Sequence, residues 1–285
     1  MQHNDYILTL SCPDRTGIVF RVSGLLFELG CNIRDSQQFG DEETGRFFLR
    51  VHFDLPRAAA ESALREQFAA LANGYDMQWQ IHDAHRKARL LIIMVSKQGH
   101  CLNDLLFRVS SGQLRAEVAA IVSNHNDYAS LAASYGIPFH HMPVTPDTKA
   151  AQERQVLELV EREQIDLVVL ARYMQILSAD MCQALAGRAI NIHHSFLPSF
   201  KGARPYHQAH ARGVKIIGAT AHYVTSDLDE GPIIEQDIER VDHTMTAADL
   251  TQVGSDIESL VLSRAVRSHV EHRILLNRSK TVVFR

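Results

Sequence analysis

Residues 150–192, AAQERQVLELVEREQIDLVVLARYMQILSADMCQALAGRAINI, decide the fold of this chain. Apolar residues recur at helical spacing from Ala150 to Glu163, whereas Asp166 to Ala171 (DLVVLA) is the short apolar run typical of a strand buried on both faces. A second helix near Ser178 to Ala186 leads to the strand Ala189 to Ile192. Strands that alternate with helices favour right-handed βαβ units, so this stretch predicts an α/β fold with a mostly parallel sheet.

The same alternation extends in both directions. Upstream, Leu90 to Val95 (LLIIMV) and Ala116 to Ser123 (AEVAAIVS) are further buried strands, followed by a helix near Tyr128 to Tyr135. The elements expected downstream are antiparallel strands at Ile216 to Val224 and Ile233 to Asp237, a long helix over about Thr246 to Arg273, and a terminal hairpin. Together these elements predict one α/β domain over residues 90–285.

The first 84 residues follow a different pattern. The predicted elements are, in order, a strand at Tyr6 to Cys12, a helix at Ile18 to Leu29, strands at Ile33 to Phe39 and Arg46 to Phe53, a helix from Pro56 to about Leu71, and a strand at Met77 to His82. This βαββαβ order is the ferredoxin-like plan. We therefore expect a separate α+β domain over residues 1–84, joined through a charged linker at 85–89.

Composition excludes several classes of protein. The 285 residues are 46% hydrophobic and 22% charged, which is typical of globular chains, and a net charge of −4 without basic clusters argues against a nucleic-acid partner. No apolar run approaches the roughly 20 residues that span a membrane, and no signal peptide is visible. Cys12, Cys31, Cys101 and Cys182 lie far apart in the sequence, so we expect free thiols in a reducing cytoplasm.

Familiar catalytic and cofactor motifs are also missing. The sequence has no G-x-S-x-G, no G-x-x-x-x-G-K-[ST], no G-x-G-x-x-G and no H-E-x-x-H. Sixteen histidines suggest metal ligands, yet adjacent residues on a strand point to opposite faces. Each His-His pair therefore supplies at most one ligand to a site, and we expect neither a metal nor a resident cofactor.

Polar, chemically capable residues concentrate between Asn191 and Glu235, where a predicted buried strand ends. In open α/β sheets ligands bind beyond the carboxyl ends of the strands. Asn191 and His193 share a face of the extended chain, and an amide beside an imidazole can stabilise a developing oxyanion. A carboxylate from the acidic turn that contains Asp229 can then accept a proton or act as a partner to the histidine. The alternative is that Asn191 caps a strand end and the acidic residues only solvate a loop.

Four short motifs in this region resemble the folate-dependent formyltransferase family. They are Asn191 to His193 (NIH), Ser195 to Pro198 (SFLP), Gly218 to Val224 (GATAHYV) and Asp229 to Ile234 (DEGPII). The resemblance implies a Rossmann-like domain with Asn191, His193 and Asp229 as the catalytic set. The proton-transfer role would favour a raised pKa of Asp229.

Leu170 to Leu177 (LARYMQIL) is similar to the loop with which that family contacts folate. The residues implied to bind the substrate are Met174, Gln175, Ile176, Leu177, His194 and Gly231. Gln175 stands where relatives often carry arginine, so an ion pair to the glutamate tail of folate is not expected there.

The first domain separately resembles an ACT domain, through Cys12 to Val19 (CPDRTGIV) and Leu29 to Ile33 (LGCNI). ACT domains often bind small amino acids at subunit interfaces. The resemblance therefore implies an amino-acid effector and a homo-oligomer, a dimer or tetramer. The effector-binding residues it implies are Asp14, Arg15, Thr16, Gly17, Gly30 and Asn32.

The two resemblances together match the layout of folate-dependent deformylases, which hydrolyse 10-formyltetrahydrofolate to tetrahydrofolate and formate. Such a reaction balances one-carbon folate pools and supplies formate for purine biosynthesis. Ser96 to Asn103 (SKQGHCLN) lacks the glycine-rich phosphate cradle of glycinamide ribonucleotide formyltransferases, which favours water over a phosphorylated amine as acceptor. Formyl transfer to another amine, or a folate sensor without catalysis, are the alternatives.

Overall fold

A computed structural model describes residues 4–56, 61–94, 98–195 and 205–285, without the side chains of Met94 and Pro205. The chain divides into two compact units. The first comprises residues 1–86 with 271–277 and 281–285, and the second comprises residues 87–270 with 278–280. The end of the chain thus packs with the first unit, whereas the sequence placed all of it in the second. The predicted linker is shorter than expected, because Ala88 already begins a strand.

The first unit is the predicted βαββαβ fold. Its elements are β1 (Asp5–Pro13), α1 (Ile18–Glu28), β2 (Asn32–Asp41), β3 (Arg46–Asp54), α2 (Glu61–Tyr75) and β4 (Gln78–Asp83). The four strands form an antiparallel sheet in the order β2-β3-β1-β4. Fully buried Leu10, Leu26, Phe53 and Phe68 are among the residues that fill the core on one side of this sheet. The sequence predicts that the second helix begins at Pro56. Residues 57–60 lie outside the described residues, so this predicted start is not tested.

The end of the chain packs against β3 and β4. Arg50, which is buried, donates hydrogen bonds to the backbone carbonyls of Glu271 and His272, each at 3.1 Å. The imidazole of His272 stacks on that of His82 with ring centroids 3.5 Å apart. Side chains on both faces of β3 are therefore buried, which explains why this strand lacks a simple apolar–polar alternation.

The second unit is the predicted α/β domain. Its elements are β5 (Ala88–Met94), α3 (His100–Ser110), β6 (Ala116–Ser123), α4 (Ala129–Ser134), β7 (Phe139–His141), α5 (Lys149–Arg162), β8 (Leu167–Leu170), α6 (Ala179–Ala184), β9 (Ala189–His193), α7 (Pro205–Arg212), β10 (Ile216–Tyr223), β11 (Ile233–Arg240) and α8 (Ala247–Val270). A terminal hairpin of β12 (Ile274–Asn277) and β13 (Lys280–Val283) follows. Helices α3 and α7 and the short strand β7 were not predicted from the sequence.

The sheet of the second unit has seven strands in the order β11-β10-β9-β8-β5-β6-β7. The five strands from β9 to β7 are parallel, and β10 and β11 add to them in antiparallel orientation. The strand order reverses between β5 and β8, and such a reversal opens a crevice at the carboxyl ends of the strands. This topology places the ends of β8 and β9 at the usual ligand-binding edge of the sheet. No helix in the described parts of the chain is both long and apolar enough to cross a membrane.

Candidate active site

Strand β9 presents Asn191 and His193 at its carboxyl end. The two side chains lie on the same face of the strand because they are two residues apart. The neighbouring strand β10 places His222 opposite Asn191 and Thr220 opposite His193. Thr220 donates a hydrogen bond to the backbone carbonyl of Ser195 at 3.0 Å, which fixes the chain directly beyond β9. The end of β9, which carries Asn191 and His193, is thus held by its pairing with β10 and by the hydrogen bond from Thr220.

Asp229 approaches His193 from the turn that follows β10. Its Oδ1 lies 3.3 Å from Nδ1 of His193, and the two side chains are 22% and 11% exposed. The hydrogen bond from His193 lowers the pKa of Asp229 below its usual value, against the effect of partial burial. The expectation of a raised pKa was therefore wrong. Asp229 is an anion at neutral pH, so it is suited to orient His193 and to stabilise its protonated form.

The turn that carries Asp229 depends on a glycine. Asp229 has a left-handed backbone with φ of 58°, and the amide of Glu230 donates to the carbonyl of Asp227 at 3.3 Å. A Cβ at Gly231 would lie 1.7 Å from the backbone oxygen of Tyr223, so only glycine fits there. Gly231, predicted to bind substrate, thus packs the turn against β10 and is not among the residues that line the adjacent cavity.

His194 stacks on the catalytic candidate His193. The ring centroids are 4.7 Å apart and the planes are inclined by 22°. Burial, together with the neighbouring His193, lowers the pKa of His194 to about 4. His194 is therefore uncharged at neutral pH, and its ring forms part of the cavity wall beside His193.

A cavity of about 280 Å³ opens beside these residues. Its lining includes all the predicted catalytic residues and every predicted substrate-binding residue except Gly231: Asn191, His193, Asp229, Met174, Gln175, Ile176, Leu177 and His194. The lining also includes residues outside the predicted set, among them Tyr173, Cys182, His222, Val224 and Leu228. Met174 and Ile176 are exposed, so they offer uncovered apolar surface where a flat aromatic ligand can lie.

A buried polar cluster that the sequence analysis missed centres on Glu258 of α8, which is 1% exposed. Its carboxylate accepts hydrogen bonds from His100 Nε2 at 2.7 Å, the Tyr206 hydroxyl at 2.6 Å and Arg172 Nη1 at 3.3 Å. Burial alone would raise the pKa of Glu258, but His100 and Arg172 hold it below its usual value. The sequence signal was a single glutamate on the apolar face of a long helix. A buried carboxylate at such a position requires hydrogen-bond or ion-pair partners.

His100, Cys101 and Glu258 also bring possible metal-ligand atoms within 4.8 Å of one another. Three donors already occupy both oxygens of the Glu258 carboxylate, and one of them is the positively charged guanidinium of Arg172. A cation there would have to displace the hydrogen bond from His100 and face the positive charge of Arg172. This arrangement fits a hydrogen-bonded ion pair better than a metal centre.

The predicted effector residues lie in two separate places within one chain. Asp14 donates from its backbone amide to Gly45, beside the first residue of β3, whereas Asn32 pairs with Asp54 at the last residue of β3. At about 3.3 Å per residue these ends are about 25 Å apart. The glycines between them serve turns: Gly17 precedes α1 with φ of 91° and Gly30 follows it with φ of 73°.

Two stretches of the predicted motifs lie outside the described residues. They are residues 196–198 of the SFLP motif and residues 96–97 at the start of SKQGHCLN. The remainder of the latter stretch is described: Gly99 packs against Tyr128, whose ring would lie 2.3 Å from a Cβ at that position.

Comparison with known proteins gives the same two-part division. The family model described as "Formyl transferase" matches residues 89–266, and the model described as "ACT domain" matches residues 6–69. The chain is 52% identical to the formyltetrahydrofolate deformylase of Corynebacterium sp. (strain P-1), over 98% of each protein.

Solved structures extend the comparison. The structure of the formyltetrahydrofolate deformylase from Burkholderia mallei is 52% identical to this chain, with a TM-score of 0.94 over 99% of this chain and 100% of the other. A glycinamide ribonucleotide transformylase from Symbiobacterium toebii is 30% identical, with a TM-score of 0.65 over 70% of this chain and 95% of its own. The similarity that extends over both units is therefore to the deformylases, and the chain belongs to the formyltetrahydrofolate deformylase family.

Proposed function

We propose that this chain hydrolyses 10-formyltetrahydrofolate to tetrahydrofolate and formate. The observation that carries the proposal is that Asn191, His193 and Asp229 line one cavity together with the exposed apolar residues Met174 and Ile176. This combination offers an amide donor, an imidazole and a carboxylate next to a surface that can hold an aromatic ring system. The names of the full-length relatives point to the same reaction.

The reaction needs stabilisation of an oxyanion and two proton movements. Water adds to the formyl carbon, and the carbonyl oxygen gains a negative charge that the amide of Asn191 and the imidazolium of His193 stabilise by hydrogen bonds. Asp229 supports the positive charge on His193 through the contact at 3.3 Å. Asp229, which lines the cavity, accepts one proton of the attacking water and passes it to N10 as the carbon–nitrogen bond breaks. The water oxygen remains in the other product, which loses its remaining water-derived proton to become formate. Loss of one oxyanion donor costs about 10²–10³ in rate.

Folate binding is assigned to the segment Met174 to Leu177 and to His194. The exposed side chains of Met174 and Ile176 supply apolar contact area, and the neutral ring of His194 forms part of the same wall. Gln175 offers a neutral amide rather than a cation toward the glutamate tail. Because the folate derivative is itself the substrate, we propose that the reaction needs no resident cofactor or metal.

The decisive test measures the products in water enriched in oxygen-18. Purified protein and 10-formyltetrahydrofolate should yield tetrahydrofolate and formate in equal amounts, with one labelled oxygen in each formate. The same protein with His193→Gln should release formate at least about 10²-fold more slowly while it still binds folate. Consumption of substrate only after an amine is added would show formyl transfer instead, and folate binding without turnover would leave the sensor function.

The first unit is proposed to pair with the same unit of a second chain. Among the described residues, β2 bonds to one strand only, β3, so its other edge is open. The neighbouring helix α1 exposes Phe20 and Phe27, at 75% and 80%. An open strand edge beside exposed aromatic side chains is suited to close a symmetric dimer interface. Two such dimers would give a tetramer.

The same pairing would complete the effector site. The carboxylate of Asp14 lies beside Gly40 on β2, since a Cβ at Gly40 would be 3.1 Å from Asp14 Oδ2. If two β2 strands pair in antiparallel orientation, the Gly40 end of one strand lies opposite the Asn32 end of the other. The turn Asp14 to Gly17 of one chain and the segment Gly30 to Asn32 of its partner would then meet, although they are far apart within one chain. The proposed ligand is a small amino acid.

Sedimentation and calorimetry test this pairing. The double variant Phe20→Lys/Phe27→Lys should shift the parent oligomer toward the monomer, because lysine charges would have to be buried. Calorimetric titration with each common amino acid should detect a binder in the parent that the double variant fails to bind. A monomeric parent would contradict the interface. An amino acid that binds both proteins equally would contradict the shared site.

The proposed biological role is to balance one-carbon folate pools and to supply formate for purine biosynthesis. The four cysteines are free thiols, in keeping with action in a reducing cytoplasm.

A further inference from the structure

We propose that His222 is a positioning residue that holds the side-chain amide of Asn191 with its nitrogen toward the oxyanion. This inference rests on the proposed hydrolysis and assigns to that site a residue outside the predicted catalytic set. His222 lies directly opposite Asn191 in the pairing of β10 with β9. Its Nε2 is 3.3 Å from Nδ2 of Asn191, and its side chain is almost fully buried.

The position of the proton on the ring follows from the other ring nitrogen. Nδ1 of His222 lies 2.9 Å from the backbone oxygen of Tyr223, and a carbonyl oxygen can only accept. Nδ1 therefore carries a hydrogen. Burial lowers the pKa of His222, so the ring is neutral and Nε2 has only a lone pair.

This tautomer decides the orientation of the Asn191 amide. The nitrogen and oxygen of an amide are assigned from their hydrogen-bond partners, and a lone pair requires a donor opposite it. The atom of Asn191 that faces His222 is thus the nitrogen. One of its two hydrogens binds Nε2, and the second is left for the cavity that Asn191 lines. The reversed amide would present an acceptor where negative charge develops, so His222 determines whether Asn191 stabilises or repels the oxyanion.

The surroundings hold the ring in place. A Cβ at Gly231 would lie 1.7 Å from the oxygen of Tyr223 and 3.0 Å from Nδ1 of His222, so the turn packs directly on this hydrogen bond. The pairing of β10 with β11 is irregular between Ala221 and His222. Asp229 Oδ1 lies 3.9 Å from Nε2 of His222, beyond hydrogen-bonding distance. The hydrogen-bond partner of Nε2 is therefore the amide nitrogen of Asn191, which lies closer to it than Asp229 does.

Two substitutions separate this role from a structural one. In His222→Gln, the side-chain oxygen can still accept from Asn191, whereas in His222→Leu it has no acceptor. We expect His222→Leu to lower kcat by about 10- to 100-fold at an unchanged KM, as part of the 10²–10³ that an oxyanion donor supplies, and His222→Gln to restore most of the loss. A His222→Leu protein that is folded and as active as the parent would overturn the proposal.

A double-mutant cycle tests the route through Asn191. In an Asn191→Ala background, His222→Leu should change kcat by less than about twofold, because the group that it positions is gone. His269→Leu is the matched control: His269 bonds to the Tyr223 hydroxyl at 2.7 Å, and any effect of its loss should be equal in both backgrounds. Equal effects of His222→Leu in the two backgrounds would show that His222 is merely structural and would overturn the proposal.

A spectroscopic measurement is independent of turnover. Long-range proton–nitrogen spectra of protein with nitrogen-15 histidine should show His222 with hydrogen on Nδ1 and a bare Nε2 at pH 7. Asn191→Ala should shift the Nε2 signal of His222, because the hydrogen bond to it is lost. A hydrogen on Nε2 would overturn the proposal even if hydrolysis is confirmed, and the predicted pattern would support it even if the proposed reaction fails.

Discussion

Asp229→Asn is the substitution that tests most directly how charge is used in this site. The change removes the negative charge next to His193 and leaves the side-chain volume nearly unchanged. Two unit charges 3.3 Å apart attract by about 5 kcal/mol at an effective dielectric constant of about 20. Asp229 is 22% exposed, and solvent screening reduces this to about 3–4 kcal/mol. Since each 1.36 kcal/mol is a factor of ten in rate, kcat should fall by about 10²–10³.

The assay is formate release under saturating 10-formyltetrahydrofolate, combined with folate binding at equilibrium. The loss should appear in kcat, and folate affinity should stay within a few-fold of the parent, because the contact that is lost is to His193. The pKa of Asp229 is lowered by that same contact, so the parent carboxylate is ionised throughout the neutral range.

Asp227→Asn is the matched control for this experiment. Asp227 lines the same cavity two residues earlier in the turn, and its backbone carbonyl, rather than its carboxylate, accepts from Glu230. Asp227→Asn should keep kcat within about threefold. If Asp229→Asn retained more than a tenth of the parent kcat, or if both variants lost activity equally, the charge-pair argument would be refuted.

Three further predictions concern stability. Glu258→Ala should lower the free energy of unfolding by about 3–5 kcal/mol in urea titrations, because it leaves buried donors unpaired, whereas Asp256→Asn on the exposed face of the same helix should change it by less than about 0.5 kcal/mol. Gly231→Ala should destabilise the protein and lower kcat, since its Cβ would meet a backbone oxygen at 1.7 Å. Its control is Gly24→Ala in α1, where a Cβ meets open space, and this variant should raise the free energy of unfolding by up to about 1 kcal/mol, as measured by thermal unfolding. Burial lowers the pKa of His82 to about 4 from 6.5, so the unfolded chain binds a proton more readily between these values, and stability falls as pH drops through that window. His82→Phe should flatten this loss, by up to about 3 kcal/mol at pH 4, in unfolding measured from pH 7 to 4; an unchanged slope would contradict the assignment.

The sequence alone was sufficient for the elements with strong periodicity. The buried strand at Leu167–Leu170 and the amphipathic helix Lys149–Arg162 lie within a residue or so of their predicted ranges. Helix α3 was not predicted, yet Cys101, Leu102, Leu105 and Leu106 have the spacing of one buried helix face, so its sequence does carry a helical pattern. Local pattern therefore predicted most of the architecture, and the two-unit fold is confirmed.

For the candidate site as well, the local sequence predicts some features and not others. The spacing of Asn191 and His193 predicted that they share a face, because the alternation of a strand is a local property. That Asp229 would meet His193 could be inferred only from the family motif, since the two are brought together by a turn after the next strand. The low pKa of Asp229 could not be predicted at all, because it depends on a distance and on the local exposure.

What the sequence by itself determined is the alternation of strands and helices, the two-domain order and the identity of the reactive residues, since each of these depends on neighbours within a few positions along the chain. What only the tertiary structure decided is which groups face one another across strands. The partner of Asn191 is His222 on the adjacent strand, and the partners of Glu258 come from three other parts of the second unit. Contacts between residues so distant in sequence depend on strand register and helix packing, and the same side chains in another register would have no shared chemistry.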